Sequence, residues 1–242
     1  MTRVAGVDGC PGGWIAWLMD PADPAGAEIR VMPRLCALLG DAGAPAVVAV
    51  DMPIGLPDRV GIGGRPAERA VRGFLGARQS SVFSVPSRSA VYAADYAEAC
   101  AAALATSDPP RKISKQAFHL FPKIREIDAL LAGDPTLRTR VFEAHPEVAF
   151  AVLNGGRAMA LPKKVKGAVH PPGLDERRAL LAALGLPAAL LAGRPPRGAA
   201  ADDLLDAAVC ALVAARIAKG VAVPHPAEEV RDAVGLRVAI WA

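Results

Sequence analysis

The sequence predicts an α/β protein whose mixed sheet opens as a three-stranded antiparallel meander, continues with parallel strands and is flanked by helices. Three observations predict it. Short apolar runs joined by tight turn chemistry fill the first thirty residues, a helix-spaced stretch follows, and a continuous apolar run comes next. A length of 242 residues suits one domain of ordinary-to-large size. With 52% hydrophobic residues the chain can build a core, which excludes an intrinsically disordered protein.

Arg3 to Val7 reads as the first strand, Trp14 to Met19 as the second and Glu28 to Met32 as the third. Their links, Asp8-Gly9-Cys10-Pro11-Gly12-Gly13 and Asp20 to Gly26, are turn sequences, and short links join antiparallel neighbours. Arg34 to Ala42 has helical spacing, with Leu35, Leu38 and Leu39 on one face. Ala46 to Val50 is then a strand buried on both faces, entered after a crossover helix and closed by Asp51 and Pro53. Pro66 to Leu131 is mostly helical, broken at Ser84 to Ser87 and at Ser107 to Pro110. Leu137 to Ala144 reads as a further strand stopped by His145-Pro146. A short helix (Glu147 to Leu153), a basic loop (Pro162 to Gly173) and a helix (Leu174 to Leu184) follow. Asp202 to Lys219 is a long helix and Arg237 to Trp241 a last strand. The expected organisation is a single domain over residues 1–242 with a helical insertion at about 60–135.

Composition excludes several classes of function. The hydrophobic excess is mostly alanine, about a fifth of the chain, and no uninterrupted apolar run reaches the ~20 residues of a bilayer span. No membrane partner is expected. The first residues lack a signal-peptide core, and Cys10, Cys36, Cys100 and Cys210 are too scattered for a disulfide framework or a zinc site. Reduced, mostly buried thiols in the cytoplasm are the expectation. A net charge of +4 permits a nucleic acid or nucleotide substrate without indicating one, and nothing signals an oligomeric state.

Carboxylates gather at the ends of elements. Asp8 closes the first strand, Asp51 the strand after the first helix, and Glu143 lies near the end of Arg140 to Glu143. In open sheets those ends are where ligands bind. Asp202, Asp203 and Asp206 open the long helix, where spacings of three and four put two carboxylates on one face. Each has a plainer reading: Asp8 as a turn residue, Asp51 as a strand-end cap, Asp202 or Asp203 as a helix cap. Glu143 inside an apolar strand requires a partner. Converging carboxylates repel unless a cation neutralises them, and hard oxygen ligands favour Mg²⁺ or Mn²⁺, as one or two ions. Two such ions about 4 Å apart activate a water and stabilise the leaving oxygen in phosphodiester hydrolysis. Asp8, Asp51, Glu143, Asp203 and Asp206 are thus the candidate catalytic and metal-binding residues.

Meander, crossover helix, strand, further strands and a late acidic helix is the order of the ribonuclease-H-like fold. The residues also resemble something narrower. Val7 to Trp14, Val50 to Leu56 and Phe142 to Glu147 are similar to signature segments of domain-of-unknown-function family 429 (DUF429). So are Arg78 to Pro86, Ile113 to Phe118 and Asp202 to Ala207. The resemblance runs along nearly the whole chain in order. That family is regarded as predicted nucleases of ribonuclease-H fold. The resemblance therefore implies a metal-dependent nuclease with Asp8, Asp51, Glu143 and Asp203 or Asp206 as its acidic site. One departure matters: better-known nucleases of this fold carry Asp and then Glu on strands before the helical Asp. Here a second Asp ends the post-helix strand and the Glu follows an insertion, which leaves the bridging role open between Asp51 and Glu143.

Polar residues elsewhere are candidate substrate contacts. Lys115 and Gln116, with Arg111, Lys112 and Lys123, form a basic helix start, and Arg78, Gln79 and Ser80 form a polar loop between helices. Lys163, Lys164 and Lys166 with Arg177-Arg178 read as a phosphate clamp. A solvated face accounts for the helix start and the clamp, and local capping accounts for the polar loop. His145 is either a proton shuttle or a structural residue held extended by Pro146. Trp14 and Trp17 do not alternate to one face, so one of them is expected to be exposed.

Two other functions compete with hydrolysis. In a phosphotransferase of the actin and sugar-kinase group, the glycine-rich turn after Asp8 would cradle phosphate. That group uses two copies of the fold, and this chain supplies one. A non-catalytic ribonuclease-H-like module would bind a partner only, but clustered acids with no role are destabilising and expendable.

Overall fold

The meander forms where apolar runs meet turn residues. The computed structural model describes residues 2–40 and 43–242. Val4–Cys10 is strand β1 and Gly13–Asp20 is β2, turned by Pro11 and Gly12 alone. Strand β3 (Asp23–Met32) starts earlier than Glu28, because the turn closes at Pro21 and Ala22, whose amide donates to Asp20 Oδ1 at 2.9 Å. Helix α1 is a single turn, Cys36–Leu39, confined between Pro33 and Gly40. The rest of the expected helix, Asp41 and Ala42, lies outside the described residues.

Strand β4 (Val47–Val50) pairs parallel to β1, as its continuous apolar run predicts. Four helices follow: α2 (Pro66–Leu75), α3 (Arg88–Val91), α4 (Tyr96–Thr106) and α5 (Lys115–Gly133). The two expected breaks are present, before α3, capped by the Ser87 side chain, and before α5, capped by Ser114; a third, unexpected break precedes α4, which Asp95 caps. Pro135–Thr139 is a 3₁₀ turn, so β5 is only Val141–Glu143, parallel to β4. Helix α6 is Pro146–Leu153. The expected basic loop is instead a small hairpin, β6 (Lys164–Val165) and β7 (Ala168–Val169), turned by Lys166 and Gly167, both with positive φ. Then come α7 (Pro171–Ala183), α8 (Ala188–Ala192), α9 (Ala201–Ala218), β8 (Pro224–His225) and β9 (Ile240–Trp241), the last shorter than expected.

The five-stranded sheet has the order β3-β2-β1-β4-β5, antiparallel in its first half and parallel in its second. This is an α/β architecture consistent with a ribonuclease-H-like arrangement. The chain divides into two compact units. One comprises Met1–Asp51, Arg140–Val223 and Trp241–Ala242 and contains the whole five-stranded sheet with α6 to α9. The other comprises Met52–Thr139 and Pro224–Ile240 and contains α2 to α5.

In the sheet unit the alanine-rich α9 packs on β1, β2 and β4, with Val4, Ile15, Trp17, Met19 and Ala49 in the shared core. The side-chain period of two sends Trp14 to the opposite face from Trp17. Both are nevertheless 0% exposed, because both faces of β2 are covered, with consecutive residues from Trp14 to Met19 buried. The expectation of an exposed tryptophan is thereby corrected. Among the described residues no helix is long and apolar enough to cross a membrane. The four cysteines are free, Cys36 exposed and the other three buried.

Candidate metal centre

Three carboxylates meet because strand register and one glycine bring them together. Gly6 and Val7 of β1 align with Ala49 and Val50 of β4, so Asp8 and Asp51 are the next pair along two neighbouring strands. They share the parity of Gly6 and Ala49 and therefore face α9. At Gly6 a Cβ atom would stand 2.0 Å from the Ala211 amide nitrogen and 2.1 Å from the Ala207 carbonyl oxygen. Only glycine lets the α9 backbone lie directly on β1 there. That contact delivers Asp206, one turn before Cys210, to the ends of β1 and β4. One oxygen from each of Asp8, Asp51 and Asp206 lies within 4.8 Å of the others.

Burial and repulsion dominate the electrostatics. The Asp8 carboxyl is held well above the usual range, first by burial and then by Asp51, Asp206 and Asp203, with Lys163 opposing. Burial pushes Asp51 up to about 8, with Asp206 adding to it and Lys163 again opposing. Asp206 rises to about 6 by burial, moderated by Lys163. The Lys163 ammonium bonds the Asp206 carboxylate and lies 4.0 Å from Glu147. Burial alone would lower its pKa, yet Asp206, Glu147 and Asp51 raise it. Asp8 Oδ1 accepts from the Gly9 amide at 2.6 Å, whereas Asp206 Oδ1 is buried with no donor. An all-oxygen set with an unserved acceptor suits a hard cation, whose charge would offset the burial and displace the protons.

The model for the family described as "Protein of unknown function (DUF429)" matches residues 6–231. The chain belongs to that family. No curated protein matches it, and no solved structure does.

The other acidic candidates of this DUF429 protein fall outside the convergence, for specific reasons. Glu143 is 5% exposed but registers with Val50, one row short of Asp51, so strand alternation turns it to the other face. It adds only a smaller repulsion on Asp51. Asp203 is spent on its own helix, accepting from the Ala200 amide at 2.8 Å as a cap. Asp202 pairs with Lys164 at 2.6 Å. His145 is the extended residue before α6, as Pro146 dictates.

Among the basic candidates, Arg78 on the 3₁₀ turn Gly76–Ser81 and the exposed Lys115 and Gln116 at the start of α5 belong to the other unit. The proposed clamp divides. Lys163 and Lys164 face carboxylates, and Arg178 pairs with Asp175 at 2.7 Å. Arg177 is 0% exposed and bidentate to Glu147 at 2.7 and 2.8 Å, so it has no free face for a phosphate. The Gly12 amide donates to Gly198 O at 2.8 Å, which removes it from any phosphate cradle in the first turn. Sequence reasoning missed Glu147 as the partner of Arg177. Its signal was present as an acid at the start of an apolar helix, closing the Phe142 to Glu147 segment.

Proposed function

We propose that this chain hydrolyses phosphodiester bonds of a nucleic acid or nucleotide with a divalent ion, Mg²⁺ or Mn²⁺, held by Asp8, Asp51 and Asp206. The observation that carries the reading is the convergence of three buried carboxylates with an acceptor oxygen left unserved. A hydrogen-bonded structural cluster would have satisfied that oxygen. An oxygen-only donor set excludes zinc-type thiolate chemistry and favours hard ions. Bound there, such an ion would neutralise charge on a phosphate oxygen and lower the pKa of a water.

The chain's own residues supply position. Asp8 and Asp51 project from paired strands and Asp206 from a helix seated on them, so the three acids are fixed before any ligand arrives. Lys163 favours the ionised Asp206 carboxylate, offsetting part of the rise that burial causes. Glu143 acts on Asp51 through space, and Asp203 holds the helix start. Both are supporting residues in this reading.

The test is cleavage of single-stranded and duplex DNA, RNA and a branched junction by the purified chain with Mg²⁺ or Mn²⁺. Asp8→Asn is compared with the parent after circular dichroism confirms that it folds. Metal-dependent cleavage by the parent and none by the variant is expected. Equal cleavage by both overturns the reading.

A further inference from the structure

The geometry points to Lys163 as the second cation of this centre, so that the site takes a single divalent ion. This inference rests on the metal-dependent reading above. In a two-ion centre both charges are metal ions, clamping the attacking and leaving oxygens from either side. Here one cation is already covalently part of the chain. The two oxygens of Asp206 divide accordingly. Oδ2 takes the Lys163 ammonium, while Oδ1 is buried and has no hydrogen-bond donor. Asp206 thus bridges an ammonium and the position left for one ion.

Charge gives the same answer. The three converging carboxylates carry three negative charges when ionised. Lys163 cancels one and a single divalent ion the other two. The nearby Glu147 is already matched by the guanidinium of Arg177, at 2.7 and 2.8 Å.

The placement of Lys163 is built, and its neighbour offers the contrast. Three successive carbonyls are tied down: Leu161 O accepts from Arg177 Nη1 at 3.0 Å, Pro162 O contacts His170 Nδ1 at 3.0 Å, and Lys163 O accepts from the His170 amide at 2.8 Å. The amides of Ala160 and Leu161 donate to Glu176 at 2.8 and 2.9 Å. Gly173 has no room for a side chain, since a Cβ would stand 1.8 Å from Pro162 O. A lysine that merely solvated a loop would need none of this. The Lys163 side chain is 21% exposed, against 50% for Lys164 next to it. A fixed ammonium is also present at every metal concentration, which a second ion is not.

Calorimetric titration of the full chain with Mn²⁺ at pH 7.5 tests the inference through stoichiometry, independently of activity. The parent is expected to bind one ion, Lys163→Met two, and the charge-conserving Lys163→Arg one. Lys163→Gln, which keeps a neutral donor to Asp206, replaces Lys163→Met if circular dichroism shows the latter unfolded. Two ions in the parent, or one in the folded neutral variant at any affinity, overturns the inference and leaves the metal reading intact. A parent that binds no Mn²⁺ overturns both.

Discussion

Two groups of buried acids in this protein have opposite fates. In the helical unit, Asp128 and Asp232 are saturated with donors. Asp128 receives Arg88 at 2.5 and 2.9 Å and the Tyr92 hydroxyl at 2.6 Å. Asp232 receives Arg88 at 2.8 Å and the amides of Leu56, Val234 and Leu236 at 2.9, 3.1 and 2.8 Å. In the sheet unit, Asp8, Asp51 and Asp206 face one another, share one lysine and leave Asp206 Oδ1 without a donor. Both groups are buried charge, so burial by itself does not mark a site. The distinguishing property is whether the fold satisfies the carboxylates. A satisfied acid stabilises, whereas converging, under-satisfied acids repel one another and could hold a cation.

The contrast is sharpest under substitution. Asp8→Asn is expected to reduce metal-dependent cleavage by more than the ~10–100-fold typical of losing an outer partner of a metal ligand, since Asp8 is a proposed ligand itself. The folded chain should tolerate it, because it removes a buried acid that Asp51, Asp206 and Asp203 repel. Steady-state cleavage and a thermal melt of the same preparation check both halves. Asp232→Ala should do the reverse. Loss of a saturated buried acid is expected to cost about 3 kcal/mol, lowering the melting temperature by ~6–12 °C, with Mn²⁺ affinity unchanged. If calorimetry shows that Asp232→Ala weakens Mn²⁺ binding, the separation of the two groups fails.

Gly6→Ala probes the scaffold beneath the acids. Its new methyl would meet backbone atoms of α9 at 2.0 Å, which no rotamer change relieves. A loss of about 3 kcal/mol is expected, near the upper end for overpacking. Mn²⁺ affinity should fall with it, as α9 and Asp206 lift away from β1. Unchanged stability and affinity would show that Asp206 is positioned by something else.

The dependence on pH tests the same three acids without a substitution. Folded Asp51 titrates at about 8 and Asp206 at about 6, whereas both titrate near 4 in the unfolded chain. Between those limits the folded state holds more protons than the unfolded state, so stability falls as pH rises. The melting temperature of the metal-free chain is expected to decline between pH 5 and 8, less steeply in Asp51→Asn. Mn²⁺ should reverse the slope, because the ion replaces those protons. A flat or rising melting temperature without metal would contradict the repulsion among the three acids.

Much of the centre was legible in the sequence. Asp8 and Asp51 stand out as acids that end apolar strands, and local chemistry sets those strands: β-branched and apolar runs cut by Gly and Pro. The choice between Asp203 and Asp206 was not legible. Both lie in the first turns of one helix, and only the packing of Gly6 against Ala207 and Ala211 selects the residue that faces the sheet. Glu143 shows the same limit from the strand side. Its place at a strand end follows from the sequence, but the face it points to depends on register with β4, offset by one residue. Arg177 read as a phosphate ligand because its partner, Glu147, is thirty residues away in the chain.

The sequence by itself determined the order of the sheet's strands and the longer helices, and the family, because turn residues and hydrophobic periods act over a few neighbours at a time. The tertiary structure alone decided which acids converge and which lysine joins them. Those contacts link segments as distant as Asp8, Lys163 and Asp206, and the energies that govern them are burial and charge at distances of a few ångströms.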